Sequence, residues 1–505
     1  MKKGILKKVL LIFVLVVLAA LVAVGFSENR LSDFGQCGNS VWWEYDSAKG
    51  QLYIFGEGDM YDYDFLVRSA SPFYDTKIKT VIIQHDVTSI GNRAFDSCEN
   101  LRSVTVPDSV TRIGLSAFEN CKKLEYVGMP ESIKEIGHSA FNNCGKLKEI
   151  TLPTYLTEIA TSSFGSCEKL EKINIPEGVT AIGYSAFRGC KNLKEIKLPD
   201  SLKKIEAFAF EGCSSLTGIE IPEGVEVIES CAFNECTGLS ELNMPDSIEK
   251  AESLIFYNTA YYNDSKNWSD GVLYIGNHLV NVKEDFSGTL AVKEGTLTVS
   301  GVFSCEKLTA VTVPDSVKYI DSGTFEDCTA LKDITLSKNL VSIGESAFLN
   351  TAYYNDESNW EKGVLYIDNC LIAANEKISD KYEIKEGTRL IADDAFKESS
   401  VESLVLPEGS EIIGNSAFVW CYSLKNITLP ESLKVIGKEA FVGCSELAEI
   451  SVPAGVRKIG DNAFYDCSSL TDIYFGAGEE EWKNIDIGYT DEDFEKITIH
   501  FTETE

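Results

Sequence analysis

The chain has 505 residues, a formal net charge of −32 and a hydrophobic content of 44%. That apolar content is enough for a large core, which excludes a mainly disordered chain. The acidic balance argues against a nucleic-acid partner, because a phosphate-binding surface needs clustered Lys and Arg side chains. We attribute the acidic excess to a long soluble surface rather than to a dedicated acidic site.

The N-terminal segment, residues 1–27, has the pattern of an export signal. Lysines at positions 2, 3, 7 and 8 precede an apolar run of 18 residues at 9–26. A basic start and an apolar run are typical of a signal peptide, and this run is also just long enough to span a bilayer. A cleaved signal peptide and a retained membrane anchor both fit, and either one predicts an extracellular or cell-surface protein.

Residues 28–79 do not share the repeat that follows and are predicted to form an N-terminal β cap. Residues 37–45 and 51–60 read as two strands, with a turn at 48–50 between them. Such a hairpin would cover the open end of the first coil, as solenoids require. Trp42 and Trp43 fit a packed cap better than a sugar-binding surface.

A 23-residue period begins near residue 80. Prolines mark it at positions 107, 130, 153, 176, 199, 222 and 245, and seven cysteines keep the same step. A fixed period of this size indicates a solenoid, in which each coil packs only on its neighbours. We therefore predict a leucine-rich repeat solenoid, with one parallel β-strand plus a short helix or turn in each 23-residue coil, and β-rich caps at both ends.

One coil, residues 101–124, shows how the repeat is expected to fold. The alternation around Val104 predicts a short strand, and Pro107 ends it because proline lacks the N–H that a ladder needs. Gly114 is expected to supply a flexible corner. One face of a short helix is then indicated by the apolar residues Ala117, Phe118, Cys121 and Leu124.

Equivalent positions of stacked coils predict columns of side chains. Neighbouring strands lie about 4.8 Å apart, so equivalent residues come into contact along the solenoid. The predicted phenylalanine column consists of Phe95, Phe118, Phe141, Phe164, Phe187, Phe210, Phe233, Phe256, Phe303, Phe325, Phe348, Phe396, Phe418, Phe441 and Phe464.

The period also divides the chain into blocks. We predict leucine-rich repeats at 80–257, 303–349 and 395–472, islands at 258–302 and 350–394, and a C-terminal cap at 473–505. The islands are copies of each other at an offset of 92 residues, and each lengthens one coil by about one repeat. A strand pair bulging from the stack is expected in each island. The paired island aromatics are Tyr261, Tyr262 and Trp268 in the first and Tyr353, Tyr354 and Trp360 in the second.

Fifteen cysteines and four histidines raise the question of disulfides and metals. Cys37, Cys231 and Cys370 lie outside the repeat column, which comprises Cys98, Cys121, Cys144, Cys167, Cys190, Cys213, Cys236, Cys305, Cys328, Cys421, Cys444 and Cys467. A column without any Cys-x-x-Cys pair predicts buried thiols, although the strand spacing also permits a disulfide between neighbouring coils. The histidines lack metal-ligand spacing, so no metal and no cofactor are predicted.

The sequence carries no recognisable catalytic motif. Nucleophile elbows, phosphate-binding glycine loops and metal-ligand pairs are missing from it, and a residue repeated along a column serves the stack. We therefore predict that the protein is not an enzyme. The weaker alternative is an enzyme whose island aromatics flank a carbohydrate, but packing against the stack explains those rings better.

The outward positions of the predicted strands form the candidate ligand-binding face. Solenoids present such faces as long surfaces, and here the outward residues vary from coil to coil. A solvated strand face without a ligand is the competing interpretation. The candidate ligand-binding residues are Thr105, Tyr126, Thr151, Lys172, Asn174, Lys197, Glu220 and Asn243.

The repeat pattern Leu-x-x-Ile-x-Leu-Pro-x-Ser-Val-x-x-Ile-Gly-x-x-Ala-Phe-x-x-Cys resembles the BspA-like (Treponema-type) leucine-rich repeat proteins of bacteria. The match covers about residues 80–470 and is specific, because Pro, Ile-Gly, Ala-Phe and Cys recur together. The resemblance implies a secreted or surface-displayed protein, and some family members are adhesins for host matrix proteins or other bacteria. The chain departs from the family in lacking a recognisable C-terminal wall anchor, which favours retention of the N-terminal segment.

Two functions follow from these observations. The first is adhesin-like binding of an extracellular protein or glycan ligand. The second is a non-catalytic display stalk at the cell envelope, with no ligand of its own. A membrane is expected as a partner only through the N-terminal apolar segment, if that segment is not cleaved.

Overall fold

The computed structural model describes residues 33–64, 71–74, 77–375 and 378–502. The predicted signal peptide or membrane anchor at 1–27 lies outside these residues. The chain forms two compact units, an N-terminal unit that ends at Leu156 and a C-terminal unit that begins at Thr157. Each unit is a parallel β-solenoid in which paired strands are 23 residues apart, for example Thr80 with Ser103 and Lys172 with Glu195. The predicted leucine-rich repeat solenoid is confirmed.

The N-terminal unit contains eleven strands within its described residues. They are β1 (Asp33–Gln36), β2 (Val41–Asp46), β3 (Gln51–Gly56), β4 (Gly58–Asp59), β5 (Thr80–Ile83), β6 (Val87–Ile90), β7 (Ser103–Thr105), β8 (Arg112–Ile113), β9 (Tyr126–Gly128), β10 (Glu135–Ile136) and β11 (Glu149–Thr151). Two sheets run side by side, with the strand orders β1-β2-β3-β5-β7-β9 and β10-β8-β6-β4. Each coil therefore contributes one strand to each sheet.

The predicted N-terminal hairpin is confirmed. β1, β2 and β3 pair antiparallel, and β3 then pairs parallel with β5, so that the hairpin extends the first sheet. Trp43 packs edge to face on Phe73, with ring centroids 5.6 Å apart at 82°. Trp42 is 41% exposed, so only one of the two tryptophans packs into the cap.

The C-terminal unit begins with coils that repeat without interruption. Their strands are β12 (Glu158–Ile159), β13 (Lys172–Asn174), β14 (Ala181–Ile182), β15 (Glu195–Lys197), β16 (Lys204–Ile205), β17 (Gly218–Glu220), β18 (Val227–Ile228), β19 (Glu241–Asn243) and β20 (Lys250–Ala251). The short strands form a parallel sheet in the order β12-β14-β16-β18-β20. β13 pairs with β15 and β17 pairs with β19 on the other side of the coil.

The first island and the coils after it come next. Their elements are α1 (Ala260–Asn263), a 3-10 helix (Ser265–Asn267), β21 (Trp268–Ser269), β22 (Val272–Ile275), β23 (His278–Val282), β24 (Ser287–Ala291), β25 (Thr298–Val299), β26 (Lys307–Thr312), β27 (Tyr319–Ile320), β28 (Asp333–Thr335) and β29 (Ser342–Ile343). The sheets have the orders β21-β22-β23-β25-β27-β29 and β24-β26-β28.

The second island repeats this arrangement and leads to the C-terminal coils. The elements are α2 (Ala352–Asn355), a 3-10 helix (Glu357–Asn359), β30 (Trp360–Glu361), β31 (Val364–Ile367), β32 (Cys370–Ala374), β33 (Ser379–Glu383), β34 (Leu390–Ile391), β35 (Ser400–Val405), β36 (Ile412–Ile413), β37 (Asn426–Thr428), β38 (Val435–Ile436), β39 (Glu449–Val452), β40 (Lys458–Ile459), β41 (Asp472–Phe475), α3 (Glu479–Lys483), β42 (Asp486–Ile487), a 3-10 helix (Phe494–Lys496) and β43 (Thr498–Phe501). The sheets have the orders β30-β31-β32-β34-β36-β38-β40-β42, β33-β35-β37 and β39-β41-β43.

The islands do not simply bulge from the stack. In each, three strands pair antiparallel, and the last of them then pairs parallel with the next coil, as β23 does with β25. All five residues of β23 are buried. The expectation of a bulging strand pair is therefore wrong for its inner strand, which continues the solenoid because its apolar side chains belong to the core.

The segment predicted as a helix or a turn is a turn. In the coil at 101–124, residues 115–120 form consecutive turns, and Ser116 and Asn120 have φ values of 51° and 59°. A residue with positive φ breaks an α-helix, so the apolar spacing imitates helical periodicity without a helix.

Gly114 acts through close packing rather than as a flexible corner. A Cβ built on Gly114 would lie 2.6 Å from the backbone nitrogen of Asn92 and 2.8 Å from the carbonyl carbon of Gly91. Glycine is therefore required here because the neighbouring coil approaches the backbone directly.

The phenylalanine column runs through the core of each unit. Neighbouring rings stack with centroids 5.2–5.4 Å apart between Phe73 and Phe141, and the same stacking occurs between Phe164 and Phe256. Phe303 is a wrong assignment, since it is only partly buried. Val302 takes the column position: its carbonyl accepts the thiol of Cys328 and it is completely buried.

Candidate functional site

The predicted strand-face residues of the N-terminal unit lie at outward positions. Thr105, Tyr126 and Thr151 belong to β7, β9 and β11, are exposed, and alternate with buried residues such as Val104 and Val127. Tyr126 is 61% exposed and offers the largest side chain of the three. The alternation of a strand thus places these residues as expected, while their role in binding stays a prediction.

The C-terminal unit carries the other five candidates, and all of them are exposed. The ladder pairs Asn174 with Lys197 and Glu220 with Asn243, so these side chains stand next to each other in neighbouring coils. The fifth, Lys172, lies on the same strand as Asn174. The result is a polar surface of mixed charge, with donors and acceptors at each step of the ladder.

The charged side chains of this surface remain available to a ligand. The Nζ of Lys197 lies 3.2 Å from the Oε1 of Glu177, and both side chains are more than half exposed. An exposed ion pair of this kind contributes little to stability, about 0–1 kcal/mol. A ligand that engages Lys197 therefore displaces only a weak interaction.

A second group on the strands, partly exposed, was not predicted from the sequence. The Nε2 of His500 lies 2.6 Å from the Oδ1 of Asp472, and the His500 ring stacks on Tyr474 with centroids 4.6 Å apart at 14°. A hydrogen bond from the Thr471 hydroxyl, and then the one with His500, hold the pKa of Asp472 below its ordinary value of 3.8. The alternation at 497–501 was the available signal, but those residues were assigned only to a cap.

The repeat pattern decides the family. The profile of the BspA type leucine-rich repeat region, which contains six copies of the repeat, matches residues 69–192, 157–281, 299–390 and 389–499. These matches together cover well over half of the chain. The chain belongs to the BspA-type leucine-rich repeat family. No curated protein sequence matches it.

Several solved structures of leucine-rich repeat proteins are similar to the chain. A leucine rich cell surface protein from Faecalibacterium prausnitzii is 25% identical, with 91% of this chain and 99% of that one covered and a TM-score of 0.36. A leucine rich repeat protein from T. pallidum is 26% identical over 43% of this chain and 91% of its own, with a TM-score of 0.32. One from Eubacterium ventriosum is 21% identical over 88% and 96%, with a TM-score of 0.28.

The cysteines of this BspA-type chain are structural donors. All fifteen lie within the described residues, and none of them forms a disulfide. Along the column the thiols donate to backbone carbonyls of the preceding coil, as Cys213 does to Phe187 at 3.3 Å and Cys236 does to Phe210 at 3.1 Å. Burial raises the pKa of Cys121, Cys190 and Cys213 well above the ordinary value of 9.0. The prediction of a buried thiol column is confirmed, and a protonated thiol in this position is unreactive.

Ionisable groups that are partly or fully buried cluster near the first island, and each has a structural task. Lys250 and Glu252 form an ion pair of 2.7 Å. Asp321 accepts the backbone N–H of Ser253 at 2.6 Å, and burial raises its pKa. Burial also raises the pKa of Asp393 to about 6. These carboxylates connect segments that are distant in sequence, which is a stabilising role rather than a catalytic arrangement.

Neither a metal centre nor a membrane-spanning helix occurs within the described residues. There, no group of three or more His, Cys, Asp or Glu side chains is arranged to hold a metal ion. None of the helices in the described part of the chain is long and apolar enough to cross a bilayer.

Proposed function

We infer that the protein is a secreted or surface-displayed binding protein without catalytic activity, and that the outward strand positions contact an extracellular protein or glycan. One observation carries this proposal: exposed outward residues that differ from coil to coil stand on buried columns that repeat almost unchanged. A stack needs only the columns, so the variable outward residues are free to serve recognition.

The N-terminal pattern supports export. The basic residues and apolar run at 1–27 fit a signal peptide or a membrane anchor, and both deliver the solenoid outside the cytoplasm. Protease treatment of intact cells tests this: the solenoid of a displayed protein is digested, whereas a cytoplasmic one is protected. Detection of intact, full-length protein only in lysed cells would reject surface display.

Ligand binding is tested with the full-length protein. Immobilised host matrix proteins, mucin glycans and whole bacterial cells form the panel, and saturable binding to one class supports the adhesin-like function. Binding that never saturates across the panel favours the alternative, a display stalk at the cell envelope that has no ligand of its own.

A further inference from the structure

A cleft of about 620 Å³ opens in the first island of the C-terminal unit. Three aromatic rings form one continuous wall of it. The ring centroids of Tyr257 and Tyr262 are 5.2 Å apart, as are those of Tyr262 and Trp268, at interplanar angles of 60° and 82°. The Nε1 of Trp268 donates to the carbonyl of Tyr262 at 2.7 Å, which fixes the indole in place. Tyr257 remains 42% exposed, so part of its ring is accessible to a ligand in the cleft. The three packed rings therefore present an apolar surface to the cleft.

The cleft contains an amide that has no hydrogen-bond partner among the described residues. Asn281 is only 6% exposed and lines the cleft, yet within the described residues its side chain makes no hydrogen bond. Gly301, which has a φ of 65°, leaves the space beside it open: a Cβ there would lie 3.1 Å from the Nδ2 of Asn281. Its polar atoms keep contact with the solvent of the cleft, so they are open to hydrogen bonding from that side. A polar ligand in the cleft would replace water as the partner of this amide.

The rim of the cleft is polar and mostly acidic. Glu284 and Asp285 are exposed there, together with Lys283, whose Nζ lies 5.4 Å from the centre of the Trp268 ring. Two carboxylates against one ammonium disfavour an anionic ligand, whereas carboxylates accept hydrogen bonds from hydroxyl groups. Burial raises the pKa of Tyr262, so its hydroxyl stays neutral and can donate.

We propose that this cleft binds a neutral hexose unit of an extracellular glycan. A hexose has an apolar C–H face that fits an aromatic wall and hydroxyl groups that pair with amides and carboxylates, which is the combination found here. This proposal rests on the proposed function in one respect: an extracellular location is needed for the protein to meet glycans. It uses a site separate from the candidate strand-face residues.

A quaternary ammonium ligand fits the cleft less well. An aromatic cage holds a cation between ring faces that stand apart, with the cation within about 6 Å of each centroid. Here the rings pack edge to face against each other, and the ammonium of Lys283 already lies over Trp268. The acidic rim of the cleft is therefore not enough to make it a cation-binding site.

The second island provides a natural comparison. It keeps the Tyr–Trp pair, since Tyr354 and Trp360 pack with centroids 5.1 Å apart. At the offset of 92 residues, however, Leu349 stands where the first island has Tyr257, and Ala373 stands where it has Asn281. The duplicated scaffold thus tolerates the loss of both side chains, and only the first copy combines the extended wall with the amide.

The test measures binding of lactose, maltotriose and mannobiose to the full-length protein by titration calorimetry. Sialyllactose and choline serve as the anionic and cationic comparison probes. We expect at least one neutral sugar to bind. We expect the double variant Tyr257→Leu, Asn281→Ala to bind it about tenfold more weakly, because it loses part of the wall and the amide. A second variant, Glu284→Gln with Asp285→Asn on the exposed rim, should also weaken binding while leaving the fold intact.

Three results would overturn the proposal: no binding of any neutral sugar, tighter binding of choline or sialyllactose, or unchanged affinity in both variants. The strand-face variant Lys197→Ala, Glu220→Ala, Asn243→Ala should leave sugar binding unchanged. The cleft variants should in turn leave binding through the strand face unchanged, so failure of one proposal is distinguishable from failure of the other.

Discussion

The thiol of Cys121 donates a hydrogen bond to the backbone oxygen of Phe95, 3.2 Å away in the preceding coil. The same contact joins Cys144 to Phe118 and Cys444 to Phe418. Each of these carbonyls also accepts the backbone N–H of the cysteine in its own coil, at 3.2 Å for Phe95 and Cys98, so the thiol is its second donor. A small apolar residue with a weak donor makes this second hydrogen bond without opening space in the core, which explains why one residue type recurs along the column.

Thiol titration checks this account of the cysteines. In the native protein we expect at most one fast-reacting thiol, that of Cys231, because the column is buried and Cys231 is only partly so. In denaturant without reductant, all fifteen should react. A lower number after denaturation would mean that disulfides join some of the coils.

The phenylalanine column should dominate the stability of each unit. Phe187 is completely buried and stacks on Phe164 and Phe210 at 5.7 and 5.3 Å. We expect Phe187→Ala to lower the free energy of unfolding by about 3–5 kcal/mol, because it leaves a cavity in the core. Tyr422→Ala, at a site that is 57% exposed, is the control and should change it by less than about 0.5 kcal/mol. Denaturant unfolding measures the free energy of unfolding of both variants. An equal loss of stability in the two would contradict a stabilising role of the phenylalanine column.

The glycine that follows isoleucine in many of the repeats is predicted to be needed for close packing of neighbouring coils. Gly114→Ala would place a methyl group against the backbone of the neighbouring coil, so we expect a loss of about 1–3 kcal/mol. Gly145→Ala is the matched control, because a Cβ there meets nothing within 4 Å. If thermal unfolding showed both variants to be equally stable, the close approach at Gly114 would be refuted.

Asp393 should give stability a pH dependence. Burial raises its pKa from 3.8 to about 6, against the lowering effects of Asn415 and Lys250, while Asp394 raises it further. Between these two values the folded state holds a proton that the unfolded state lacks. The contribution of Asp393 to stability therefore grows as the pH falls from about 7 to about 4 and is constant below that.

The variant Asp393→Asn isolates this effect. We expect the stability of the wild type, relative to the variant, to rise by on the order of 1 kcal/mol between about pH 7 and about pH 5. Asp333→Asn, at an exposed strand position, should show no comparable change. Parallel pH profiles for wild type and Asp393→Asn would contradict the assignment.

The repeat period, the strand that precedes Pro107 and the outward strand positions could all be predicted from the sequence. Each of them follows from strict alternation or strict spacing of residues. The prediction failed where two patterns coincide. The spacing of Ala117, Phe118 and Cys121 resembles a helix, but left-handed residues at Ser116 and Asn120 close turns instead. The second strand of most coils has only two residues, as at Arg112–Ile113, which is too short for an alternation to show.

The candidate sites show the same division. Lys197 and Asn243 were predictable because register alone places them. The cleft of the first island was not, since it depends on Asn281 and Gly301 meeting across an insertion whose strands change from antiparallel to parallel pairing. The column prediction failed at Phe303 for a related reason. After the insertion, the 23-residue spacing identifies the column position, Val302, more reliably than the presence of a phenylalanine does.

The most direct test of the central claim compares dissociation constants for the strongest ligand of the binding panel. The full-length protein, its variant Lys197→Ala, Glu220→Ala, Asn243→Ala, and the control variant Glu168→Ala, Lys191→Ala should be measured together. Glu168 and Lys191 form an exposed ion pair outside the strands. The strand-face account predicts affinity about tenfold weaker for the triple variant and unchanged for the control. Unchanged affinity in the triple variant would contradict binding through this face.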